Sequence, residues 1–206
     1  MVIVPSIDVR GPRQSDGPRK NLFDRVRDLV ADGAEELHLV DLDAAETGVF
    51  TNTELLAEIA RVAGVPCRLA GGVSRVDEAR RAIDRGFAGV LFSSAVFGDD
   101  DLLREIATLG DGAIVEIEAR AGFLEPRGGA PDLVAVATGR GALASARAAQ
   151  IAGVRALYLI DLTSEGHLAG PPLALVDSVR GVASVVIGRA LAERRFTLRA
   201  AREAAA

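Results

Sequence analysis

Four carboxylates in this 206-residue chain each close a run of apolar residues: Asp8 after Val2–Ile7, Asp41 after Leu37–Val40, Glu118 after Ala113–Ile117 and Asp161 after Leu157–Ile160. A carboxylate in such a position is costly to desolvate unless it is hydrogen-bonded or used. Two of them facing one ligand, one ionised and one protonated, suit an aldose-to-ketose rearrangement. The base removes the C2 proton while the acid opens the ring oxygen. The competing role is structural, with the carboxylate accepting backbone N–H groups of the loop that follows; Asp41 fits that role better than Asp8 or Asp161. Turns rich in glycine and hydroxyls form the second group of candidates. Gly71-Gly72 and Ser93-Ser94 make one phosphate cradle, and Gly188-Arg189 makes part of another. Such turns let backbone N–H groups approach an anion, and the helix that follows adds a favourable field. Turn geometry alone is the other reading of a Gly-Gly pair.

The elements that must position these residues follow from hydrophobic periodicity. Short β-branched runs at Val2–Ile7, Glu36–Val40, Pro66–Ala70, Gly89–Phe92, Ala113–Ile117, Ala156–Ile160 and Ser184–Ile187 read as strands buried on both faces. Helix-period segments lie between them, at Asn21–Asp32, Asn52–Ala63, Arg75–Arg85, Asp99–Leu109 and Leu143–Ala152. Strand-then-helix repetition predicts α/β architecture with a parallel sheet, closed as a barrel or open and doubly wound.

An internal repeat favours the barrel. Gly33-Ala-Glu-Glu-Leu-His-Leu-Val-Asp41-Leu returns as Gly153-Val-Arg-Ala-Leu-Tyr-Leu-Ile-Asp161-Leu, and Asp8-Val-Arg10 is echoed by Glu118-Ala-Arg120. Val90-Leu-Phe-Ser93-Ser-Ala95 corresponds to Val185-Val-Ile-Gly188-Arg-Ala190. The expectation is therefore a TIM-type (βα) barrel forming one domain over residues 1–206, with half-repeats at about 1–110 and 111–206. The second half is short. Asp161 follows Asp41 by 120 residues, whereas Val185 follows Val90 by only 95, a deficit of 25. That length is the mate of the strand at Pro66–Ala70, its Gly71-Gly72 turn and its helix, with Arg180-Gly181 left as the splice. The seven strands can close in two ways: by direct pairing of the sixth and the last, or through an added strand at Val134–Ala137. A hairpin over the mouth is the favoured expectation for the long loop after the fifth strand.

At these residues the sequence resembles the phosphoribosyl isomerase A family of histidine biosynthesis, and especially its dual-substrate form, which also isomerises phosphoribosylanthranilate. The resemblance covers nearly the whole chain. It is carried by Pro5-Ser-Ile-Asp8, Glu36-Leu-His-Leu-Val-Asp-Leu-Asp-Ala-Ala45, Asn52-Thr-Glu-Leu-Leu-Ala-Glu58 and Gly71-Gly72-Val, and then by Ile160-Asp161-Leu, Glu165–Pro171 and Ile187–Leu198. It implies an Amadori rearrangement of a phosphoribosyl substrate such as ProFAR, with Asp8 as general base and Asp161 as general acid. Glu118 stands where the family has aspartate. The family's substrate clamp, Arg-Gly-Trp, is matched most closely by Arg140-Gly141-Ala142, without its aromatic ring. Ile160 replaces a threonine, the loop at Arg10–Lys20 lacks an apolar-basic segment, and the seventh strand with its phosphate turn is missing, which leaves Gly188-Arg189 on that side. A catalytically impaired phosphate-ligand binding or interaction module is the alternative, as is a minimal barrel kept for folding.

Composition narrows the remaining classes. The net charge is −5, with arginines scattered along the chain, which argues against nucleic-acid and membrane-surface partners and for a small phosphorylated molecule. Cys67, the single cysteine, sits in an apolar run and is expected to behave as a small buried hydrophobe. His38 and His167 have no cysteine cluster beside them, so neither a metal nor any other cofactor is expected. The start, Met1–Ile7, carries no basic leader and reaches charge at Asp8, so a cytoplasmic location is expected. Strand edges bordering the missing unit would invite pairing with a second chain, which makes a homo-oligomer one expected outcome.

Overall fold

β-branched runs flanked by amphipathic segments form strands and helices in the computed structural model, which describes residues 2–11, 13–14, 19–163, 184–187 and 197–200. Gly188, Arg189, His167 and the Arg180-Gly181 splice lie outside the described residues. The first half runs β1 (Val2–Arg10), β2 (Arg13–Gln14), α1 (Arg19–Ala31), β3 (Leu37–Asp41), α2 (Leu42–Thr47), α3 (Thr53–Ala63), β4 (Cys67–Val73), α4 (Val76–Asp84), β5 (Gly89–Phe92) and α5 (Asp100–Ala107). The second half has β6 (Ala113–Arg120), β7 (Phe123–Leu124), α6 (Pro131–Ala137), α7 (Ala142–Ala152), β8 (Leu157–Asp161) and β9 (Ser184–Ile187).

Seven of these strands lie parallel in the order β9-β1-β3-β4-β5-β6-β8, while β2 and β7 are short antiparallel additions to β1 and β6. This is the order of an α/β TIM-type barrel lacking one βα unit. Among the described residues no ladder joins β8 to β9. Residues 162–183, 22 in number, separate those two strands, against 47 (42–88) between β3 and β5 in the first half, which again leaves a difference of 25.

The pleat divides each strand between two environments. One face packs under the helices: Leu37, Leu39, Cys67, Leu69, Val90, Phe92, Val115 and Ile117 share a cluster with Leu56 and Ile59 of α3 and Leu103 and Ile106 of α5. α3 forms because Leu55, Leu56, Ile59 and Ala63 fall on one helical face, and it stops at Gly64 in the left-handed conformation. Each large side chain so buried contributes about 1.5–3 kcal/mol. The opposite face points into the barrel, where Ala70, Leu91 and Ile114 meet Val40, Ala156 and Tyr158. Cys67 is buried, and desolvation pushes its thiol up to about 12, so it stays an inert hydrophobe.

One expectation for the chain after β6 is corrected. Val134–Ala137 is not an added strand but the body of α6, opened by Pro131 at the first helical turn. Its backbone presses on Gly98, where a Cβ would stand 2.7 Å from the Leu133 carbonyl oxygen. The loop after the fifth parallel strand does open on a hairpin, formed by β6 and β7.

His38, inside the barrel, carries a stability prediction. Its ring lies 5.4 Å from that of Tyr158, and burial, with Arg68 nearby, pulls its pKa down to about 4. The unfolded chain, with His38 near 6.5, binds the proton first, so stability falls as pH drops from 6.5 toward 4. The full loss is about 3 kcal/mol. Denaturant titrations at pH 7.5 and 4.5 are expected to show this fall, and His38→Gln is expected to flatten it.

Candidate active site

Strand pairing sorts the four carboxylates into two sets. Asp8 stands opposite Val40 and Glu118 opposite Ile160, on the face that looks into the barrel. Asp41 pairs with Val9 and Asp161 with Ala119, on the face of the helix-packed core. Asp41 ends its strand by capping the helix that follows. Asp41, fully buried, accepts from the Ala44 N–H at 3.0 Å, the Asn52 side-chain amide at 2.9 Å and the Asn52 N–H at 3.3 Å, and so nucleates α2. Asp161 Oδ1 accepts the N–H of Thr163 at 3.0 Å.

The interior pair is held differently. Asp8, half-buried, accepts from the Ser6 hydroxyl at 2.6 Å. Glu118 is only 4% exposed and accepts on both oxygens. Oε2 takes the Ser94 hydroxyl at 2.7 Å, and Oε1 takes Arg127 Nε at 2.9 Å. The Arg127 N–H adds a contact of 3.3 Å to Oε2. Charge-assisted bonds of this kind are strong because the acceptor is out of water. The strand-end arginines repeat the two-half pattern. Arg10 forms two bonds to Glu46, at 2.7 and 2.6 Å, and Arg120 forms two to Glu125, at 2.9 and 3.3 Å. Arg120 also donates to the Leu162 carbonyl, next to Asp161.

The turns expected to hold phosphate lie side by side at the ends of β4 and β5. Gly71 has φ +143°, and a Cβ there would stand 2.7 Å from the Asp41 carbonyl oxygen, so only glycine lets β4 pass this close to β3. Ser93 caps a short 3₁₀ turn, its Oγ accepting the Ala95 N–H, while its hydroxyl donates to the Gly128 carbonyl. Ser94 is fully buried and serves Glu118.

Arg140 is not brought to this group. Its guanidinium donates to the Phe97 carbonyl and lies 3.9 Å from Asp100, on the rim between α5 and α7. The arginine that reaches an interior carboxylate is Arg127, from the loop between β7 and α6, which sequence reasoning missed. Its signal was the Gly128-Gly129 pair beside it, of the same type as Gly71-Gly72. Among the described residues no three His, Cys, Asp or Glu side chains gather as a metal-ligand set, and no helix is long and apolar enough to cross a membrane.

A parallel βα barrel with carboxylates and glycine-hydroxyl turns at the carboxyl ends of its strands defines the class of barrel proteins that handle phosphorylated small molecules at that mouth. Within it, residues 3–190 match the family described as histidine biosynthesis protein, and the chain belongs to that family. Similar curated proteins carry the name 1-(5-phosphoribosyl)-5-((5-phosphoribosylamino)methylideneamino)imidazole-4-carboxamide isomerase. The one from Rubrobacter xylanophilus is 33% identical over 192 residues, 88% of this chain and 77% of that protein. The one from Dehalococcoides mccartyi is 32% identical over 187 residues, 85% and 77% of the two chains. The Halobacterium salinarum protein is 29% identical over 231 residues, 95% and 93%.

Proposed function

We propose that this chain is an aldose–ketose isomerase that performs an Amadori rearrangement on the bis-phosphoribosyl imidazole-carboxamide for which its relatives are named. The observation that carries the proposal is the pair of carboxylates, Asp8 and Glu118, on the interior face at the carboxyl ends of β1 and β6. Asp8, oriented by Ser6, is the general base at C2 of the sugar. Asp161 was expected to be the acid that opens the ring. Its pleat face and its bond to Thr163 favour a capping role, and Glu118 is the better-placed proton donor once Arg127 is displaced from it. The Gly71-Gly72 and Ser93 turns take one phosphate of the substrate, and Gly188-Arg189 is assigned to the other. The two interior carboxylates, Asp8 and Glu118, favour catalysis over a bare binding module.

Phosphoribosylanthranilate, with a single phosphate, is proposed as a second substrate because one cradle suffices to hold it. A cytoplasmic, single-domain enzyme completes the reading. Self-association through β8 belongs to it as well: every residue of that strand is partly exposed, and among the described residues it pairs with β6 alone. Steady-state assays with both phosphoribosyl substrates test the assignment of the acid. Glu118→Gln is expected to lower kcat by about 100-fold or more and Asp161→Asn far less. The reverse ranking would return the acid's role to Asp161.

A further inference from the structure

The turns assigned to phosphate are already filled by the chain itself. Residues 126–130, Pro-Arg-Gly-Gly-Ala, cross from β7 to α6 directly over Gly72 and Ser93. A Cβ on Gly128 would stand 2.9 Å from the Ala45 carbonyl oxygen and 3.2 Å from Gly72 Cα. One on Gly129 would stand 2.8 Å from Ala95 Cβ and 3.3 Å from Ser93 Oγ. Only glycines pack so closely, and the contact is made by polar groups. The Gly128 carbonyl accepts the Ser93 hydroxyl, and the Ala130 N–H donates to Ser74 Oγ at 3.1 Å. Glu118 fastens the segment from below, through the Arg127 guanidinium and backbone N–H, and Ser94 holds Glu118 in turn.

We propose that residues 126–130 are an autoinhibitory plug: a backbone carbonyl occupies the hydroxyl that a phosphate oxygen would take, with the Glu118–Arg127 ion pair as its clasp. The inference rests on the reading of these turns as a phosphate site. A phosphate that enters displaces the Gly128 carbonyl from Ser93, lifts Gly129 away from Ala95 and breaks the clasp. Ligand entry and release of Glu118 are thereby one event, so the interior carboxylate becomes available only when phosphate is bound. The apparent affinity of the closed chain is lowered by the fraction of molecules in which the plug is out.

Isothermal titration calorimetry with inorganic phosphate tests this on the full chain, on Gly129→Val, which cannot fit against Ala95, and on Arg127→Gln, which lacks the clasp. Both variants are expected to bind phosphate about tenfold more tightly, the factor for a site open in roughly a tenth of unaltered molecules. In the unaltered chain, phosphate is also expected to speed tryptic cleavage after Arg127. Equal or weaker phosphate binding by the variants overturns the plug while leaving the cradle standing. No phosphate binding by any of the three, with far-ultraviolet circular dichroism showing them folded, overturns the cradle reading and the plug together. If Gly129→Val does not fold, Arg127→Gln decides, since it leaves the backbone contacts intact.

Discussion

Asp8→Asn is expected to lower the isomerisation rate by about 100- to 10,000-fold, the range for removal of a positioned general base. The substitution keeps the shape and removes the basic oxygen. Its effect should fall on the chemical step, because Asp8 lies at the end of β1, away from the turns assigned to phosphate. A fall in kcat with little change in KM is therefore the expected pattern. The Ser6 hydroxyl that donates to Asp8 can also face an amide oxygen, so the variant should fold as the parent does. Stopped steady-state turnover with normal thermal unfolding would support the role. A variant that retains full activity would remove Asp8 from the mechanism.

Asp41→Ala is expected to be the most damaging single change to stability away from the catalytic pair. It removes the side-chain cap of α2 and the acceptors of two donors on Asn52, in a place without water access. A lost cap costs about 1 kcal/mol, and donors left without partners about 1–3 kcal/mol more. For a chain of this size a total of about 3 kcal/mol lowers Tm by roughly 6–12 °C, readable by calorimetry. At a temperature where the variant stays folded, turnover should persist, which separates a capping carboxylate from a catalytic one. Asp43 shares the Asn52 amide and keeps one bond to it, so the variant should still fold.

The barrel was legible because its strands are buried on both sides and its halves repeat; the seven runs of apolar residues coincide with the seven parallel strands. α6 was not legible. Leu133-Val-Ala-Val136 is a short apolar run rich in β-branched valine, as a buried strand would be, and packing against Gly98, together with Pro131 at the helix start, overrides that local preference. The grouping of carboxylates could have been counted from the pleat: Ile114, Glu116 and Glu118 share one face, as do Leu157, Leu159 and Asp161. Arg127 was harder to find because its position depends on a loop folding back across the sheet. Nothing in the spacing of Glu118 and Arg127 signals that return. Arg140-Gly141 drew attention by its motif alone, while its guanidinium is used by the Phe97 carbonyl.

Isomerase activity in this chain depends on chemistry at the interior carboxylates, Asp8 and Glu118. The most direct measurement is steady-state conversion of the bis-phosphoribosyl imidazole-carboxamide by the unaltered chain beside Asp8→Asn. The expected result is turnover by the first and its near-complete loss in the second. Binding of that substrate by the unaltered chain without any conversion would contradict the isomerase assignment.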